Sequence, residues 1–170
     1  MSVNRFIKPE SEITPSTLAV LPKYHELGKL GSIILEDERE YFVPISPSQV
    51  MDRACKFFGA TLRGRQLGTR EISGMTHKVP IAVDPFAGLY FLPTLSPSNP
   101  QCVWLAHTHI HNVHALAHQR SEVYFTNGLS VELDVSYGSM INQVNRTAQF
   151  RYMLDNRLKK LHEKKDDRIE

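Results

Sequence analysis

The sequence predicts an α+β fold: short antiparallel strands joined by hairpins, with two main helices over about 47–58 and 137–162. Three observations carry this. Short apolar runs bounded by Gly, Pro, Asn and Ser recur along the chain. Two turn signals, Asp84-Pro85-Phe86-Ala87-Gly88 and Asn127-Gly128, join such runs directly, as antiparallel neighbours require. Apolar residues at helical spacing occur in only two stretches, so helices do not alternate with strands as in a doubly wound sheet.

In chain order, residues 1–16 are polar, contain Pro9 and Pro15, and are expected to form a flexible N-terminal segment. Strands are expected at Thr17–Leu21, Lys29–Leu35 and Glu40–Ile45, the last two separated by the acidic turn Glu36-Asp37-Glu38. Ser46-Pro47 starts the first helix, with a hydroxyl cap followed by a proline whose missing N–H costs nothing there. Val50, Ala54, Phe57 and Phe58 follow at helical spacing, so the helix is expected to bury its aromatics and turn Arg53 and Lys56 outward. Gly59 is the expected terminator.

Residues 60–79 read as a glycine-rich connection with a short strand at Thr69–Ser73. Ile81–Val83, Leu89–Leu92, Cys102–Ile110, Val123–Thr126 and Leu129–Val135 complete the strands. Asn127-Gly128 is read as a two-residue hairpin. Ser136 caps the last helix, whose Tyr137, Ile141, Val144, Ala148, Leu154, Leu158 and Leu161 recur near the helical period; Tyr137, Ile141 and Val144 are assigned to the core, and the mixed-charge last turns are expected to fray. Residues 17–162 are read as a single domain, with a charged, frayed end over 163–170. Trp104 is assigned to the core.

The 170 residues are 41% hydrophobic and 22% charged, which excludes wholesale disorder. Cys55 and Cys102 form no C-x-x-C pair, so a redox motif or a cysteine-based zinc site is not expected, and both are read as buried thiols. No apolar run approaches the length of a membrane span, and the N-terminus has no secretory h-region. P-loop, nucleophile-elbow and dinucleotide-binding motifs are absent from the sequence.

Charge is distributed unevenly. Arg53 to Lys78 holds six Lys and Arg against one acid, Glu71, a net of +5 in a chain of net +2. A basic segment in an acidic remainder is a localised footprint for a polyanion. Within it, Arg63-Gly64-Arg65 has the form of a minor-groove hook. A narrow A/T groove has enhanced negative potential and admits arginine, and glycine lets the backbone approach. Arg65 is expected to insert with Arg63 beside it, while Arg53, Lys56, Arg70 and Lys78 neutralise phosphates. The competing reading is a solvated loop.

A second cluster is His107, His109, His111, His114 and His118. On a strand, the first three would project to one face and could form a zinc site with an open position, hence a hydrolase. The nearest acid in sequence is Glu122, so a local carboxylate partner is lacking, and packing or surface histidines are the favoured reading. A third alternative is a protein-interaction module without DNA binding, using the last helix.

Seven pieces stand in order over about residues 17–150. The first two are Asp52-Arg53-Ala54-Cys55-Lys56-Phe57-Phe58-Gly59 and Gly64-Arg65-Gln66-Leu67-Gly68-Thr69. The third is His77-Lys78-Val79-Pro80-Ile81-Ala82-Val83-Asp84-Pro85. Then come Pro93-Thr94-Leu95-Ser96, Pro100-Gln101-Cys102-Val103-Trp104-Leu105-Ala106-His107-Thr108-His109, Asn127-Gly128, and Asn142-Gln143-Val144-Asn145-Arg146-Thr147-Ala148. Together they resemble the competence transcription factor (ComK) family of Gram-positive bacteria. The resemblance implies an activator of DNA-uptake genes that binds paired A/T-rich boxes, mainly through the minor groove, as a homo-oligomer. The expectation is thus a cytoplasmic, nucleoid-associated DNA-binding protein with no cofactor, no membrane partner and no enzymatic activity. Some members carry a longer C-terminal tail tied to activation and to a proteolytic adaptor. This chain stops at Glu170 and residues 151–170 match that pattern poorly, so slower adaptor-dependent proteolysis than in long-tailed relatives is expected.

Overall fold

The computed structural model describes residues 13–166, with side chains through 164. Its frame is a six-stranded antiparallel sheet made of two meanders joined side by side. The first meander is β1 (Thr17–Tyr24), β2 (Leu30–Glu36) and β3 (Glu40–Val43); the second is β4 (Ile81–Asp84), β5 (Leu89–Pro93) and β6 (Trp104–Ala106). The order is β3-β2-β1-β6-β5-β4, and the joint between β1 and β6 pairs Ala19 with Leu105 and Val20 with Trp104. Between β3 at one edge and β4 at the other run α1 (Pro47–Phe57) and α2 (Leu62–Ser73). After β6, a 3-10 turn (His107–His109) leads into a second antiparallel sheet of β7 (Ile110–Leu116), β8 (Arg120–Phe125) and β9 (Ser130–Leu133), followed by α3 (Tyr137–Asp166).

Strand alternation sorts the side chains into two layers. One face of the large sheet (Val20, Ile34, Tyr41, Val43, Ile81, Val83, Phe91, Trp104) packs against Val50, Met51, Ala54 and Cys55 of α1 and Leu62 of α2. Its other face (Ala19, Leu35, Leu92, Leu105) packs against Val113, Val123, Phe125 and Leu133 of the second sheet and Met140 of α3. A smaller cluster joins Tyr90 to Phe150 of α3, with Ile72 and Met75 against it. Trp104 is wholly buried, as expected. Ile13, at the start of the described residues and within the expected loose segment, is buried in the α1 layer; residues 1–12 and 167–170 lie outside the description.

The α+β class and the antiparallel pairing match the expectation, but the described residues form three α-helices. The additional one is α2, where a glycine-rich connection and a strand at Thr69–Ser73 were expected. Both ends of α2 are capped. Thr61 Oγ1 accepts from the Gly64 amide at 2.9 Å, and Gly74 closes the helix in the left-handed region at φ 73°. The buried Thr69 hydroxyl donates to Pro80 O at 2.6 Å and anchors the helix to the strand that follows. Glycines inside a helix cost about 1 kcal/mol each relative to alanine, and these contacts offset that cost.

Other boundaries also differ. The expected strand over Cys102–Ile110 is interrupted by the 3-10 turn, and β7 was not foreseen. The Asn127-Gly128 hairpin has a three-residue loop, because the Phe125 amide donates to Leu129 O and only Gly128 has positive φ. α3 starts after the Ser136 cap as expected and runs four residues beyond the expected end, to Asp166. Tyr137 is exposed instead of core, while Ile141 and Val144 pack against the second layer.

Candidate nucleic-acid interface

α1 and α2 form a fixed corner. α1 begins with a reciprocal capping box: the Gln49 amide N–H donates to Ser46 Oγ, and the Ser46 amide donates to Gln49 Oε1 at 2.9 Å. It ends in paired bonds from Ala60 N to Cys55 O at 2.9 Å and from Gly59 N to Lys56 O at 3.0 Å, with Gly59 at φ 80°. Asp52 then ties the two helices together. Its carboxylate accepts from the first amide of α2, Leu62 N, at 3.0 Å and pairs with Lys56 at 2.8 Å.

Those two partners hold the Asp52 carboxyl below its usual range, Lys56 first and the Leu62 amide second. Its contribution is present above the unfolded carboxylate value near pH 4 and is lost as pH falls through the lower folded value. Asp52→Ala is expected to cost about 1 kcal/mol at neutral pH, mostly through the lost cap. In urea melts, the gap between variant and parent should close in strong acid; a gap independent of pH would show that the carboxylate charge has no part in it.

The six basic residues are not all displayed alike. Arg63 and Arg70, seven positions apart, share the exposed face of α2 with Leu67. Arg53 and Lys56 are exposed on α1, and Lys56 is paired with Asp52. Arg65 lies near the inward line of Leu62, Thr69 and Ile72. It is half-buried, and its Nε is shielded from solvent with no hydrogen-bond partner among the described residues. The extended hook geometry expected for Arg63-Gly64-Arg65 is therefore replaced by the first turn of a helix.

Lys78 is half-buried, at φ 45°, and its position is set from α3. The buried Gln143 donates through Nε2 to Lys78 O at 2.6 Å and to Pro93 O at 2.8 Å. Gln143 Oε1 accepts from Arg146, which also donates to His77 O, each at 2.6 Å. Gln143 and Arg146 thus clamp the return from α2 into β4. Their sequence piece was legible as a motif, but this role was not.

α1 also departs from expectation in its aromatics. Its buried arc is Val50, Met51, Ala54 and Cys55; Phe57 falls beside Arg53, one turn earlier, and Phe58 lies past the last helical residue. Phe57 is 64% exposed and Phe58 37%.

The histidines do not assemble. His107 and His109 sit in the 3-10 turn and His111 in β7, which breaks the strand alternation a three-histidine face needs. His107 accepts from Arg151 at 3.1 Å, and burial with that guanidinium pushes its pKa down. His109 Nε2 donates to Pro15 O at 2.6 Å, and His114 Nε2 accepts from Asn112 at 3.1 Å. Among the described residues, no three His, Cys, Asp or Glu are grouped to hold a metal ion. Both cysteines are free and buried, and burial pushes the Cys55 thiol up to about 11, away from nucleophilic chemistry at neutral pH. No described helix is long and apolar enough to cross a membrane.

Charge is polarised across the frame. α2 packs on β4, at one edge of the large sheet, while Glu36, Asp37, Glu38 and Glu40 cluster around the β2–β3 turn at the other. Asn127 of the second sheet donates to Asp37 at 2.6 Å and braces that acidic turn. The fold and site define a class: an α+β protein with a basic two-helix corner, its α2 on one edge strand of the large sheet and an acidic turn at the other edge.

The family model described as ComK protein matches residues 8–159, and the chain belongs to that family. It is 42% identical over 147 residues to the competence transcription factor of Bacillus subtilis (strain 168), covering 86% of this chain and 76% of the relative. No solved structure matches it significantly.

Proposed function

We propose that this protein is a DNA-binding activator of competence genes that recognises A/T-rich duplex boxes as a homo-oligomer in the cytoplasm, as one domain, without cofactor or enzymatic activity. The observation that carries the reading is the α1–α2 corner, which gathers exposed Arg53, Lys56, Arg63 and Arg70 in a chain whose relative is a competence transcription factor. Gly68 adds support. A Cβ there would meet nothing within 4 Å, so packing among the described residues does not demand this costly helical glycine, and close approach of a ligand would account for it.

Arg63 is the favoured groove-directed side chain, with Arg65 behind it as a support. Arg53, Lys56 and Arg70 serve as phosphate contacts, and Lys78 stands at the margin. Minor-groove reading from a helix requires side chains to reach in from the edge, because a helix is about 10–12 Å across and the groove about 6 Å wide. A second reading follows from the same corner. Two helices joined by a four-residue connection containing glycine, residues 58–61, have the layout of a helix-turn-helix, in which α2 would enter the major groove.

Competition with matched duplexes separates the two. Inosine·cytosine pairs resemble A·T in the minor groove and G·C in the major groove. Replacing A·T in a box by inosine·cytosine is expected to retain most affinity, while G·C loses it. Equal loss with both would move the reading to the major groove, and equal binding of all three duplexes would remove A/T recognition.

A further inference from the structure

We propose that Phe57 and Phe58 form a wedge that enters a base step of bound duplex from the minor-groove side, unstacks it and kinks the DNA. The inference rests on the α1–α2 corner being the DNA face, and adds how that face deforms its ligand.

Isolated exposed apolar side chains, such as Leu27 and Phe86 here, are ordinary on protein surfaces. The Phe57–Phe58 pair differs in three ways. The rings brace each other edge to face, with centroids 5.0 Å apart and planes at 78°. The backbone beneath them is held by the helix-ending bonds to Cys55 O and Lys56 O, so the rings stand on a rigid tip. The tip is also flanked by cations: Arg53 one turn before Phe57, Lys56 adjoining it, and Arg63 in the first turn of α2.

An apolar tip with basic flanks is complementary to a stack of bases between two phosphate rows. A protein partner would have to supply both an apolar pocket and its own acids. The helical state of α2 points the same way. A helix cannot lie on the floor of an undistorted minor groove, but a wedge that unstacks one step widens the groove and lets the corner approach. Apolar wedges of this kind kink duplexes by roughly 20–90°. Pyrimidine–purine steps such as TA yield most easily. The wedge would therefore favour A/T-rich boxes containing a TA step without touching a base edge, and Arg63 would reach the groove beside it.

The test uses the full chain and an end-labelled A/T-box duplex carrying 2-aminopurine at its TA step. Energy transfer between the ends reports bending, and 2-aminopurine fluorescence reports unstacking. The parent protein is expected to bend the duplex and raise the fluorescence. The Phe57→Ala/Phe58→Ala variant should bind about tenfold more weakly, as expected for lost base–ring stacking, and give neither signal. Phe57→Leu/Phe58→Leu should restore both, because leucine also wedges. Thermal melting of each variant confirms that the fold is kept.

If the parent binds while the duplex stays straight and stacked, the wedge is wrong and the DNA face stands. If the alanine variant bends and unstacks like the parent, the wedge is wrong, and loss of self-association in that variant would make the pair a contact between protein copies. If the parent binds no duplex at all, the reading of the corner fails and the wedge fails with it.

Discussion

Gln143→Ala is expected to lower stability by about 2–4 kcal/mol, because a buried and a half-buried carbonyl oxygen lose their donor. The oxygens are those of Lys78 and Pro93, both served by one amide on a side chain only 2% exposed. In a chain of this size that corresponds to a fall in thermal midpoint of roughly 5–15 °C. Gln143→Glu separates hydrogen bonding from packing: it keeps the volume but turns the donor into an acceptor facing two acceptors. The glutamate variant is therefore expected to melt at least as low as the alanine variant. Melting within a degree or two of the parent would remove the clamp from the account of what holds the α2–β4 return in place.

The double substitution Arg63→Ala/Arg70→Ala should have the largest effect on binding. A phosphate contact contributes about 0.9 to the slope of log K against log salt, so loss of the Arg70 contact should reduce that slope by about 0.9, while loss of the groove-directed Arg63 should also lower the preference for A/T over G/C. Affinity for an A/T box at moderate salt should fall by one to two orders of magnitude, roughly the scale of two lost specific or charged contacts. Both side chains are exposed, so the thermal midpoint should hold. Arg65→Ala offers a contrast. Its half-buried side chain predicts loss of stability together with loss of affinity. Lys159→Ala, exposed near the far end of α3, is the control for net charge. A slope unchanged by the double substitution would mean that the α2 face does not meet the phosphates.

What was legible depended on whether a local signal was unopposed. The Ser46-Pro47 start, the Ser136 cap and the Asp84–Gly88 turn each have one dominant local cause, and each stands where expected. α2 was missed because Gly64 and Gly68 outweighed a weaker pattern. Leu62, Arg65, Thr69 and Ile72 recur at spacings of three, four and three, and that inward line was in the sequence. Its caps were less legible, since Asp52 reaches it from ten residues back. The β7–β8 turn gave no signal at all: His118 and Gln119 both take positive φ, at 59° and 57°, where glycine or asparagine is usual. The basic character of the corner was read from charge counts alone. Its exposed phenylalanines were not, because apolar residues at helical spacing read as core until the helix end and its turn are placed.

The joint between β1 and β6 bears on how the chain is made. It pairs Ala19 with Leu105 and Val20 with Trp104, residues more than eighty positions apart. During synthesis the first meander emerges with the inner edge of β1 open, and that edge waits for β6. The link between α1 and α2 is local, as in the contact of Asp52 with Leu62, but the apolar faces of both helices pack on strands of both meanders and so also wait for the sheet to close. The frame thus closes last, at the joint between its two meanders. Between those moments the nascent chain carries an unpaired apolar strand edge, the kind of surface that seeds aggregation and draws chaperones. Any truncation before Trp104 would make that transient state permanent.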